Sequence, residues 1–136
     1  MGWKVAVAVV GLGAGLLAGG CSTSETQSQG PNKDVTATYS WRTLKADLPE
    51  QTRVPAVIAA ADETLRARGY TVEKSSATEE MGEIIAHAPR YNDYPRLVLT
   101  SKRGASGTSV ALVVEPFGDQ ELCRSVLDGV LQRMGL

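Results

Sequence analysis

The chain holds one histidine, His87, and two cysteines, Cys21 and Cys123. These side chains most readily do acid–base, metal-binding or nucleophilic work near neutral pH. His87 stands in a strand-like stretch with Glu83 and Ile85. Zinc needs three or four nitrogen, sulfur or carboxylate ligands. Here there is no second histidine, and Cys123 is far along the chain. A general base is open to His87 in principle, but a sheet-bound or solvent-facing histidine is the preferred reading. Ser106, in Gly104-Ala105-Ser106-Gly107, invites a nucleophile reading. The stretch is not G-x-S-x-G, and strand-like rather than helical sequence follows it, so a hairpin turn is expected. Cys123 falls beside the apolar stripe of a closing helix, where a buried thiol packs as a small hydrophobe. Arg124 is next to it in sequence but points to another helix face, so it does not activate the thiol.

Arginine and tyrosine together make a second group: Arg90, Tyr91, Tyr94, Arg96, Lys102 and Arg103. Such residues suit a contact surface, anionic lipid headgroups or peptidoglycan carboxylates. On an antiparallel sheet the 89–95 loop and the 102–107 turn fall at opposite ends of one strand, giving two small basic sites rather than one patch. The net charge of −1 offers no basic field for nucleic acid. There is no phosphate-binding glycine loop or EF-hand loop, and no cofactor is expected.

These side chains need a scaffold, and its first feature is a leader. Met1-Gly2-Trp3-Lys4 carries one positive charge, and Val5 to Ala18 is apolar or glycine throughout. That is the layout of an export signal. A spanning helix wants about 20 apolar residues, and this run is shorter and glycine-rich, so a permanent transmembrane anchor is not favoured. Leu16-Leu17-Ala18-Gly19-Gly20-Cys21 resembles a bacterial lipoprotein lipobox. The resemblance implies that the Cys21 thiol takes a diacylglycerol, the leader is cut before it, and the new amine is acylated. Ala18 departs from the usual leucine, with Leu17 one place early. An ordinary signal peptidase would also accept Ala18 and Gly20 and cut the same bond. Ser22 follows instead of aspartate, which in a Gram-negative host favours transport to the outer membrane. With Cys21 lipidated, Cys123 has no disulfide partner.

Residues 1–20 are thus a signal peptide, 21–34 a lipidated cysteine with a flexible linker, and 35–136 one folded domain. Ser22 to Asp34, STSETQSQGPNKD, has no large apolar residue and reads as a coil spanning about 20 Å. Val35 to Arg42 alternates as a half-buried strand, and the alternation slips near Thr43, where a bulge or strand end is expected. Asp47-Leu48-Pro49-Glu50 has capping-box spacing, giving a short first turn at 48–52 and a main helix from about Pro55 to Gly69. Strands follow at 70–74, 81–88, 96–101 and 108–115, the last reading as buried on both faces. Asp119 caps a final helix that Gly135 ends. The order β-α-β-β-β-β-α predicts an α+β two-layer sandwich, an antiparallel sheet with two helices on one face.

Ala37-Thr38-Tyr39, Leu65-Arg66-Ala67-Arg68-Gly69-Tyr70-Thr71-Val72, Gly82-Glu83-Ile84 and Phe117-Gly118-Asp119-Gln120-Glu121-Leu122 occur in that order. In this the chain resembles a family of small bacterial lipoproteins that share a domain of unknown function. The resemblance spans roughly residues 36 to 134. Pro55 inside the first helix and a longer 89–95 loop depart from it. It implies a compact fold and an envelope location, and carries no activity. The expected function is a membrane-anchored, non-enzymatic binding or structural module of the bacterial envelope, held through Cys21 in the outer membrane and facing the periplasm. Its partner would be an envelope protein or the cell wall, and not nucleic acid. The alternatives are a small envelope hydrolase or a small-molecule-binding domain with a cavity between sheet and helices.

Overall fold

The computed structural model describes residues 24–89 and 95–136. It is an α+β fold with one seven-stranded antiparallel sheet and two helices. The strands are β1 (Glu25–Gln29), β2 (Val35–Ser40), β3 (Thr43–Asp47), β4 (Thr71–Ala77), β5 (Met81–His87), β6 (Arg96–Gly104) and β7 (Gly107–Glu115). Helix α1 (Val54–Ala67) follows β3, and α2 (Gln120–Met134) follows β7. Spatial order is β1-β2-β3-β7-β6-β5-β4, so two meanders join at β3–β7. Each helix crosses to the other meander: α1 packs on β4, β5 and β6, and α2 on β7, β1 and β3.

The element order departs from the sequence reading by two strands, β1 and β3. Of the two readings of the slip near Thr43, the strand end holds: β2 stops at Ser40 and a hairpin turn, not a bulge, leads into β3. Trp41 and Arg42 form a two-residue turn with both φ angles positive, at 49° and 66°. That is the turn geometry that matches the twist of paired strands, and it normally carries Asn-Gly. Trp-Arg hides the signal. Across the turn Tyr39 pairs with Leu44 and Ala37 with Ala46, so both strands keep their apolar residues on one face.

Helix α1 begins at Val54 with Pro55 in its first turn, where a missing N–H costs nothing. The segment before it is a turn closed by Thr52 N donating to Pro49 O at 2.9 Å, and Asp47 ends β3 rather than capping a helix. Helix α2 matches expectation: the Asp119 carboxylate accepts from Leu122 N at 2.9 Å and Gly135 closes the last turn. Its stripe Cys123, Val126, Leu127 and Val130 is buried against Leu44, Leu112 and Val114 of the sheet in one core. Leu65 of α1, with Ile84, Leu97 and Leu99 of the sheet beneath it, extends that core. The helices cover one face only, and Ala111 and Val113 of β7 are half-buried on the other. The expectation of two buried faces for this strand is therefore corrected: its apolar run reflects a central position, not a third layer.

Candidate functional site

Sequence chemistry scatters over this scaffold. Cys21, Arg90, Tyr91 and Tyr94 lie outside the described residues. Arg96 begins β6 on the uncovered face, and its guanidinium holds Glu115, with Nε donating to Oε2 at 2.9 Å. Lys102 lies toward the far end of the same strand, on the same face. Arg103 is structural there, with Nη1 donating to Thr52 O at 3.0 Å beside the Thr108 hydroxyl on the same carbonyl. Arg96 and the Lys102–Arg103 pair thus lie at opposite ends of β6.

The catalytic candidates are no closer. Ser106 is in the exposed two-residue turn between β6 and β7. His87 pairs across the sheet with Arg96, at the other end of a nine-residue strand. At about 3.4 Å per residue, some 27 Å of strand separates the hydroxyl from the imidazole. His87 Nε2 is engaged by the Glu73 carboxylate. The Cys123 thiol is fully buried and burial pushes its pKa up to about 11, with Asp119 adding to the shift. Such a thiol is packing material.

Two surfaces remain. The first is the uncovered sheet face. Cross-strand partners place Ile85, Val98 and Val113 in one apolar rung that runs on to Thr43. A charged rung, His87, Arg96 and Glu115, borders it toward one end of the sheet. A mixed rung, Glu83, Thr100, Ala111 and Lys45, borders it toward the other. Next to this rung is a shallow concavity of about 800 Å³, with Thr36, Thr38, Lys45, Asp47 and Lys102 in its walls.

The second is the sheet end from which the chain enters the domain. Composition assigns residues 22–34 to a flexible linker, but β1 is a strand within it, pairing Glu25 with Tyr39 through Gln29 with Val35. No apolar side chain holds β1, and α2 supplies the hold instead. Arg124, only 8% exposed, donates from Nη2 to Glu25 O at 2.8 Å and from Nη1 to Ala37 O at 3.4 Å. Asp128 Oδ1 accepts from Gly30 N at 2.7 Å. The buried Gln29 amide, oriented to donate, reaches Asp128 Oδ1 and Arg124 O, each at 3.1 Å. Backbone ladder and charge-assisted hydrogen bonds do here what apolar burial does elsewhere.

Glu25 pairs with Tyr39, two residues before the Trp41-Arg42 turn, so chain entry and turn share one end of the sheet. The loop after β7 joins them: Arg42 Nη1 donates to Pro116 O at 2.8 Å. Gly118 makes that approach possible, since a Cβ there would lie 2.6 Å from the Tyr39 hydroxyl and 2.7 Å from Arg42 Cβ. Trp41 and Phe117 crown these two loops, each 84% exposed. Sequence reasoning missed this pair. Its only trace was the phase slip after Trp41, because exposure depends on what the neighbouring loop covers. A comparison with protein-family models and with curated proteins finds no match for this chain.

Proposed function

We propose that this chain is a lipid-anchored protein of the bacterial envelope whose domain is a non-enzymatic binding module. The lipobox-like segment ending at Cys21 supports the anchor, and Ser22 in place of aspartate supports an outer-membrane location facing the periplasm. The observation that carries the binding role is the uncovered sheet face, where Ile85, Val98 and Val113 form an apolar rung edged by charged residues. These three side chains are half-buried, and an apolar centre inside a polar rim is the usual anatomy of a protein contact. The partner class this suits is another envelope protein or the cell wall. The engaged His87, the remote Ser106 and the high-pKa Cys123 give a hydrolase reading no support.

A photocrosslinking residue at Val98 of the full-length protein, expressed in cells, tests the role. A discrete adduct is expected from Val98 and none from the exposed helix position Gln132. Equal labelling from both positions, or none from either, contradicts the proposal.

A further inference from the structure

The entry end of the sheet supports a second, more specific conclusion, which rests on lipidation of Cys21. We propose that Trp41 and Phe117 form an aromatic pad that rests in the headgroup region of the same bilayer, so the domain docks on the membrane in one orientation instead of swinging on a tether.

Three observations converge. Trp41 and Phe117 are the most exposed large apolar residues among the described ones, and the third, Met81 at 53%, belongs to the opposite end of the sheet. Neither ring covers any core, yet both loops are held in place by the Arg42–Pro116 hydrogen bond and the close packing at Gly118. Trp41 and Arg42 also hold left-handed φ angles, a conformation that favours glycine. Residues kept in such conformations cluster where function needs a fixed side-chain position.

The third observation is reach. Because β1 begins at Glu25, four residue steps separate it from Cys21. Fully extended, they span at most about 14 Å. An acylated cysteine would hold its sulfur at headgroup level, so the sheet end carrying Glu25 must lie within that distance of the lipid. Trp41 and Phe117 are on that end. Tryptophan is enriched at membrane–water interfaces because its ring is apolar with one polar edge. Exposed Arg42 beside it adds a cation for anionic headgroups.

The protein carries its own probe. Its two tryptophans are Trp3, which leaves with the leader, and Trp41. Full-length mature protein extracted from membranes is reconstituted into dioleoyl phosphatidylethanolamine–phosphatidylglycerol vesicles, with or without bromine on the acyl chains. Intact mass of the same sample reads the anchor. Lipidated protein whose emission is blue-shifted and quenched about twofold or more by bromine is the expected result. Phe117→Ser, a change at an exposed position, should weaken that quenching. Lipidated protein with unquenched, water-like emission overturns the pad and leaves the anchor standing. Blue-shifted emission that bromine does not quench places Trp41 against protein, a second copy or a partner, and also overturns it. A sample without lipid overturns the anchor, and the pad falls with it.

Discussion

Arg124→Met should lower the stability of the domain by about 2–3 kcal/mol and release residues 25–29 from the sheet. The figure combines loss of charge-assisted hydrogen bonds to Glu25 O and Ala37 O with retained packing of the aliphatic stem. Met keeps the volume and helix propensity, so the change isolates the guanidinium. The residues of β1, ETQSQ, offer no apolar burial to compensate. Denaturant unfolding reads the energy, and amide exchange over residues 25–29 reads the detachment. An unchanged midpoint with β1 amides still protected would mean that the backbone ladder to β2 holds the strand alone. The functional stake is tether length. With residues 25–29 released, the segment between Cys21 and the first held residue, Gly30, lengthens from three residues to eight, and the docked orientation proposed above would no longer be imposed.

The second large effect is expected at Gly82. This glycine lies on β5 under α1, where a Cβ would come 2.5 Å from Ile58 Cγ1 and 3.0 Å from Ser76 O. Valine suits a strand on propensity, so a loss of stability there reports the collision alone. Gly82→Val is expected to cost about 3 kcal/mol, at the upper end of overpacking effects, because Ile58 is buried and has little room to retreat. Ile58→Ala alone should cost about 2–4 kcal/mol. The double variant should then be more stable than the sum of the two losses by at least about 1 kcal/mol, since removing Ile58 opens the space that valine needs. Strict additivity in a thermal or denaturant double-mutant cycle would contradict the placement of α1 over β5.

Those two sites mark how far the sequence could be read. Helix α2 was legible because its stripe, its Asp119 cap and its terminal glycine all agree. Strands β5, β6 and β7 were legible from alternation: β5 ends one residue earlier than expected, β6 runs on to Gly104, and β7 starts one residue earlier. Strand β1 was not, because its hold comes from Arg124 and Asp128, some hundred residues away, and no local pattern records that. Strand β3 went unread beyond the bulge or strand end expected near Thr43, because a tight hairpin turn made of Trp-Arg lacks the glycine and asparagine that announce one. The basic residues grouped by sequence proximity divide as antiparallel geometry requires: Arg96 is paired with Glu115 at one end, and Lys102 and Arg103 lie at the other. The aromatic pair at the entry end could not be read at all, since Trp41 fits equally well as an inward strand residue until the turn is known.

The central claim is that Cys21 is the membrane anchor, and intact mass of the protein extracted from membranes, beside a Cys21→Ala control, tests it most directly. The account predicts a chain that begins at Cys21 and carries a diacylglycerol and one further acyl chain, with both lipid groups absent from the control. A mature chain of unmodified mass would contradict it.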